Sequence, residues 1–421
     1  MYLNIVEKIL SKAAGKEKVE PGEIIKAKVD KVMFHDLTGP LTLKSFKEMN
    51  GKKVWDPEKI IVIFDHLVPA NNERAALNQK NIREFVFEQG IKNFYDIGRG
   101  GICHQVMVEK GHAKPGELII GADSHTCTYG AVGAFATGMG ATDVAAILLT
   151  GETWLKVPET MKIDISGKIK EPITSKDVIL YIIGKLSVDG AVYKAVIFSG
   201  ETVENMTIDS RMTMCNMAVE MGAKTGIVEP DKITEQYFKE KNISIDFNFK
   251  SDSNAEFSEK IDFDISKIEP QVACPSSVDN VKPISEIEGI EINQAYIGSC
   301  TNGRLEDLRL AAKIVKNKKI KENVRTIIVP ASQEIYLNAL KEGLIEIFLK
   351  AGALVCNPTC GACIGTHMGV LADGEVCIAS INRNFIGRMG STKAKVYLAS
   401  PATVIASAIM GKITDPRKIL F

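Results

Sequence analysis

Three thiols fall close together in CNPTCGACIG, residues 356–365, as Cys356, Cys360 and Cys363, and a fourth, Cys300, sits in GSCTNGR, residues 298–304. The C-x-x-C of Cys360 and Cys363 lets two thiolates meet one metal centre. By spacing alone it fits a zinc clip or a redox pair. A structural zinc needs four closed ligands, and no second C-x-x-C is present. Cys356 or His367 could complete the set, so spacing leaves zinc open. Cys103, Cys127, Cys215, Cys274 and Cys377 stand singly, as small buried thiols do.

A second group of residues has the chemistry of proton transfer. Asp65 and His66 are adjacent in FDHLVPAN, where a carboxylate beside an imidazole orients it and raises its pKa, favouring proton donation. His104 in GICHQ and Asp123 in GADSHT form a candidate second pair, with Ser124 and His125 alongside. Asn216 and Glu220 in MCNMAVEMGAKTG are four apart, the spacing of one helix face. Arg383 and Arg388 in NRNFIGR, flanked by Asn382 and Asn384, offer guanidinium forks suited to carboxylates.

These residues need elements to position them. KIIVIF runs into Asp65, LIIGA into Asp123, QAYIGS into Cys300, RTIIVP into Ala331 and GALVCN into Pro358, each followed by a helical pattern. Such alternation predicts α/β layers with largely parallel sheets, whose ligands bind beyond the carboxyl ends of the strands. The polar residues crowd there, which predicts one site built from several strand ends. VPETMKIDISGKIKEPITSKD, near 158–175, switches to period-2 alternation and marks entry to a second unit. The polar stretch from about 240 to 285 precedes a third. The shared strand-turn-glycine rhythm of LIIGADSHTCTYGAVGAF and ALVCNPTCGACIGTHMGVL hints that the first and third units are built alike.

Composition narrows the classes of function. The chain has 421 residues, 45% of them apolar, and 52 basic against 52 acidic side chains. It is long enough for two or three domains, and its balanced charge gives no field for nucleic acid or an anionic membrane. MYLNIVEKILSKAAGKEK has helical spacing without the apolar core of a signal peptide, and no apolar run approaches a membrane span. The expected setting is cytoplasmic, with the odd number of nine cysteines as thiols or metal ligands rather than a disulfide framework.

Taken together, GSCTNGR, NPTCGACIG, DSHT, DH, GICHQ and NRNFIGR resemble the aconitase superfamily over nearly the whole chain, from HDLTGP at 35 onward. Within it the wording is most similar to the separate large subunits of the isopropylmalate and homoaconitate branch. The resemblance implies three α/β/α layered domains, 1–160, 161–284 and 285–421, around a central cluster and without the swivelling domain. It further implies one [4Fe-4S] cluster held by Cys300, Cys360 and Cys363, with one iron lacking a protein ligand and Cys356 outside the set. Such an iron is a Lewis acid for the hydroxyl of a hydroxy acid, and the implied reaction is dehydration followed by rehydration at the neighbouring carbon. The implied catalytic group is Asp65, His66, His104, Asp123, His125 and Glu220. Ser124, Asn216, Asn382, Arg383 and Arg388 would bind substrate or its surroundings. His35 in MFHDLTGP stands where aconitase itself has a glutamine, which points away from citrate and toward the isopropylmalate or homoaconitate branch. A separate small subunit is expected to bring the swivelling domain and the proton-abstracting base, because the chain stops at Phe421 soon after NRNFIGR. An electron-transfer or zinc protein using the same thiols is the competing class, and a regulatory RNA binder a third.

Overall fold

The four residues Ile60–Ile63 are all apolar and all buried, as a parallel strand covered on both faces requires. The computed structural model describes residues 2–246 and 249–420, so two residues of the polar stretch expected between 240 and 285 lie outside it. In the first sheet, β1 (Lys31–His35), β2 (Ile60–Ile63), β3 (Asn93–Tyr95), β4 (Leu118–Gly121) and β5 (Phe135–Gly138) are parallel in the order β3-β2-β1-β4-β5. Ile61 and Ile63 enter one apolar core with Met33 and Ile119, while Ile60 and Val62 enter another with Val32 and Phe34.

A second parallel sheet contains β6 (Thr160–Ser166), β7 (Ala195–Ser199), β8 (Thr225–Val228) and β9 (Glu259–Asp264) in the order β8-β7-β6-β9. The third contains β10 (Gln271–Ala273), β11 (Val281–Pro283), β12 (Gln294–Ile297), β13 (Arg325–Ile328), β14 (Leu354–Val355), β15 (Val376–Ala379) and β16 (Lys395–Leu398), in the order β11-β10-β16-β15-β12-β13-β14. Its five strands β14-β13-β12-β15-β16 are parallel. β10 and β11 precede residue 285, and β10 joins the sheet antiparallel at the pair Ala273 and Leu398.

The parallel strands of these three sheets thus repeat one winding: third, second, first, fourth strand. The chain reverses direction between first and fourth strands, and the loops there splay to opposite faces, leaving a crevice at the strand ends. In the first sheet that crevice lies beyond β1 and β4, which run into His35 and into Asp123. In the third it lies beyond β12 and β15, which run into Cys300 and Asn382. One apolar core, including Ile63, Ile163, Phe198, Tyr296 and Leu398, runs through all three sheets and turns these ends toward a common interior.

The helices include α1 (Ile5–Ala14), α2 (Cys103–Glu109), α3 (Ser175–Leu186), α4 (Ile208–Met217) and α5 (Leu305–Val315). α1 opens on a capping box of Asn4 and Glu7 and closes on left-handed Gly15. A 3-10 turn over Ser124–Val132, capped by Asp123, packs on α4 and β8. A Cβ at Gly130 of this turn would lie 1.7 Å from the Gly226 carbonyl, so only glycine permits the approach.

Candidate active site

The site begins with a short turn after β1. Both oxygens of Asp36 accept backbone N–H groups, from Asp65 and His66 at 3.0 and 2.9 Å and from Leu67 at 2.8 Å. That carboxylate ties the end of β2 to the end of β1 and fixes the Asp65 and His66 backbone. His66 Nδ1 then donates to Asp65 Oδ1 at 2.6 Å, and the second Asp65 oxygen accepts the N–H of Cys103 at the start of α2. Burial alone would raise the Asp65 pKa and depress that of His66. Their mutual attraction outweighs it, holding Asp65 at about 2 and lifting His66 to about 9. The His35 ring stacks on His66 with centroids 3.9 Å apart.

A second carboxylate, Asp123, gathers three imidazoles. His104 Nε2 donates to Asp123 Oδ1 at 2.8 Å, while His104 Nδ1 accepts the Tyr129 hydroxyl at 3.1 Å. His35 Nε2 is 3.6 Å from Asp123 Oδ2, and His125 Nδ1 is 3.6 Å from Oδ1. Burial opposes ionisation of Asp123, but His104 foremost, with His125 and the nearby His35, holds it far below the ordinary carboxylate range. Burial also keeps His104 neutral, lowering its pKa despite Asp123.

His125 Nε2 passes the chain on to Glu220 Oε1 at 2.8 Å. Arg383 Nε binds both Glu220 oxygens, at 2.8 and 3.1 Å, and its Nη1 reaches Ser124 Oγ at 3.0 Å. Burial would raise Glu220, yet His125 and Arg383 lower it, so it is a carboxylate held between an imidazole and a guanidinium. Asn216 and Glu220 do not share one helix: α4 ends at Met217, and Glu220 lies on a 3-10 turn over Ala218–Met221.

The thiols complete the site. Asn216 Nδ2 donates to Cys300 Sγ at 3.2 Å and Asn382 Nδ2 to the same sulfur at 3.4 Å, while Arg388 Nη2 donates to Cys363 Sγ at 3.3 Å. Cys363 hydrogen-bonds with Cys360, and that contact, helped by Arg388, makes Cys363 the first of the pair to become a thiolate. Burial and the neighbouring Cys363 push the Cys300 thiol up to about 12. Cys360 is seated by its N–H on the Asp65 carbonyl at 2.7 Å, with the Thr359 hydroxyl on the same oxygen. Cys356 is only half-buried and its N–H serves the Ile328 carbonyl of β13. His367 turns to the Pro69 carbonyl, and Asn384 to that of Cys274.

The donor set can be tested against an iron–sulfur group. Tetrahedral zinc with Zn–S of about 2.3 Å would bring sulfurs within ~3.8 Å of one another. Among the described residues, the only three or more metal-ligand side chains with donor atoms mutually within 4.8 Å are His35, Asp36, Asp65 and His66, a set without a thiol. Its two carboxylates are already occupied by backbone and imidazole N–H groups. Cys300, Cys360 and Cys363 do not all lie within that distance of one another, so they do not make a single-ion site. N–H donors on two of the sulfurs favour thiolates, and the buried N–H groups of Arg388 Nε and His35 Nε2 have no hydrogen-bond acceptor in the protein, as befits donors facing an anion. The residues fit such a group.

Residues 7–289 and 282–411 match the model of the Aconitase family (aconitate hydratase). The chain belongs to the aconitase family. Among relatives, the "Probable 3-isopropylmalate dehydratase large subunit" of Methanothermobacter thermautotrophicus is 55% identical over 99% of this chain and 99% of its own. The "3-isopropylmalate dehydratase large subunit 1" of Methanopyrus kandleri is 53% identical over the full length of both. The "Probable methanogen homoaconitase large subunit" of Methanothermobacter thermautotrophicus is 53% identical over 99% and 98%. The crystal structure of Thermococcus kodakaraensis aconitase X shares the fold, with a TM-score of 0.51 over 88% of each chain at 12% identity. This family member contains no helix, among its described residues, long and apolar enough to cross a membrane.

Four residues of the site escaped the reading of its sequence. Asp36 stood in HDLTGP beside His35, and Thr359 in NPTCGACIG, without signalling a role. Arg304 closes GSCTNGR, yet nothing in a single sequence says it is buried. Its guanidinium donates to Gln105 Oε1 at 3.1 Å, to the Asp209 carbonyl and Thr213 Oγ1 at 3.3 and 3.1 Å, and to the carbonyls of Thr301 and Cys300. Tyr129, which fixes the His104 tautomer, also gave no signal.

Proposed function

We propose that this chain is the cluster-bearing large subunit of a 3-isopropylmalate dehydratase, a hydro-lyase that interconverts 2-isopropylmalate and 3-isopropylmalate in leucine biosynthesis. The observation that carries the reading is full-length identity above 50% to relatives bearing that name, joined to three thiols beside imidazole–carboxylate pairs and two arginines. Cys300, Cys360 and Cys363 would hold a [4Fe-4S] cluster with one iron free of protein ligands. When bound, it supplies a Lewis acid for the substrate's hydroxyl and carboxylate.

The chain's own residues do the rest. Asp65 keeps His66 an imidazolium at neutral pH, and His66 gives its Nε2 proton to the departing hydroxyl. Neutral His104 locks Asp123 in place, and Asp123 holds His125 against Glu220. Glu220, a carboxylate, accepts a hydrogen bond from the water formed and hands it back on rehydration. Arg383, Ser124 and Arg388 take substrate carboxylates, and His35 Nε2 donates to a substrate oxygen. Asn216 and Asn382 orient Cys300.

A separate small subunit, forming at least a heterodimer in the cytoplasm, supplies the base for the carbon-bound proton and the loop that reads the side chain. Homocitrate is the second reading, favoured by the 53% identical homoaconitase relative. The test is anaerobic purification, iron and sulfide analysis, and assay of 3-isopropylmalate and homocitrate with and without the candidate small subunit. Iron and sulfide in a cluster ratio, with isopropylmalate turnover only in the complex, is expected. Turnover by this chain alone overturns the split site, and turnover of homocitrate only selects the second reading.

A further inference from the structure

Lys176 lies in the first turn of α3 and is fully buried. A lysine there is anomalous twice over. The N-terminal end of a helix carries the positive end of its dipole and disfavours a cation, and a buried ammonium without a counter-ion is costly. Among the described residues the hydrogen bonds of Lys176 go to no carboxylate. Its Nζ instead donates to the main-chain carbonyls of Ser380 and Ile381, at 3.1 and 2.6 Å. Those two residues carry the chain from β15 to Asn382, which touches Cys300, and to Arg383, which touches Glu220.

We propose that Lys176 is a positioning residue: its buried ammonium fastens the Ser380–Ile381 turn and is the counter-charge of the anionic cysteine site. The inference rests on the cluster reading above, since three thiolates around an oxidised cluster core leave the site negative. Burial lowers the pKa of Lys176 to about 7, and the opposing charges are, in order, Cys363, Cys300, Asp307 and Glu220. The two foremost are proposed cluster ligands. The ammonium is therefore tolerated when the cluster is loaded and is a liability when it is not.

That difference in sign separates counter-charge from mere packing. The cluster-bearing chain, purified anaerobically, is compared with Lys176→Gln, which keeps N–H donors but no charge, and Lys176→Arg, which keeps charge. Reduction potential is read by redox titration, iron release by a chelator, and melting on chains stripped of cluster. In the Gln variant the potential falls, since adding an electron loses a nearby positive charge, and iron leaves roughly 10-fold faster, the scale of one buried charge interaction. Its cluster-free form melts no lower than wild type, while the Arg variant keeps the wild-type potential. An unmoved potential with loaded and cluster-free forms destabilised alike overturns the proposal. Should the Gln chain fail to accumulate, Lys176→Met is read by the same pair of criteria. Wild-type chain without iron and sulfide would sink the cluster reading itself, whereas a normal wild-type cluster with unshifted variants sinks only the role of Lys176.

Discussion

Replacing Arg383 by lysine keeps a positive charge and removes the fork. In the native site one guanidinium binds both Glu220 oxygens through Nε and Ser124 through Nη1. A lysine Nζ is a single point and cannot span Glu220 and Ser124 together. A hydrogen bond to a charged group contributes about 1.5–3 kcal/mol, so one lost bond lowers kcat/KM by about 10- to 150-fold. Glu220, with only 3% of its side chain exposed, keeps its contact with His125, and the lysine keeps a positive charge nearby, so the variant should fold. The assay is anaerobic kcat/KM of the two-subunit enzyme for Arg383→Lys, Ser124→Ala and the double variant. Because one guanidinium joins both partners, the double variant should lose less than the sum of the singles, by about 1 kcal/mol. Unchanged kinetics in Arg383→Lys, or strict additivity with Ser124→Ala, would refute the shared-fork argument.

Serine at Cys300, Cys360 or Cys363 is expected to abolish the brown colour and the activity, while Cys356→Ser leaves both largely intact; retained iron and sulfide in Cys300→Ser would remove that cysteine from the ligand set. Arg304→Lys should lower thermal stability by about 3 kcal/mol or more, since it breaks several buried bonds at once, and a calorimetric melt indistinguishable from wild type would contradict this. His112 accepts the Tyr95 hydroxyl at 2.6 Å, and burial, aided by Lys31, Lys114 and Lys110, lowers its pKa to about 4. The unfolded chain takes that proton near pH 6.5, so this contribution is whole above 6.5 and lost as pH falls toward 4, up to about 3 kcal/mol. In His112→Gln the fall in urea midpoint between pH 7 and 4.5 should shrink; an identical fall would place the acid sensitivity elsewhere.

Some of this was legible in the sequence for definite reasons. A parallel strand buried on both faces must be a continuous apolar run, so KIIVIF, LIIGA and QAYIGS announce β2, β4 and β12. Asp65 and His66 announce their pairing because they are neighbours in the chain. The strand winding is not legible, because it depends on pairings such as Gln294 with Cys377 that span more than eighty residues. Nor is the break after Met217. Asn216 and Glu220 have the spacing of one helix, but Gly222 in the left-handed region closes a tighter turn, and tertiary packing overrides the periodicity. Lys176 and Arg304 show the deepest limit. Lysine and arginine normally mark surface, and only the surrounding carbonyls reveal them as interior.

The reach of Arg304 also bears on when the site comes into being. Its partners Gln105, Thr213 and Cys300 are separated by about a hundred residues each in the chain, and long-range contacts of that kind are made late, after the entropy of closing large loops has been met. No early fragment of the chain holds the Cys300 carbonyl in its final direction. Iron delivered to a nascent or half-docked chain meets loose thiols. On the proposed reading that Cys300, Cys360 and Cys363 hold a cluster, a chain that takes it up stably has, by that act, signalled the completion of folding.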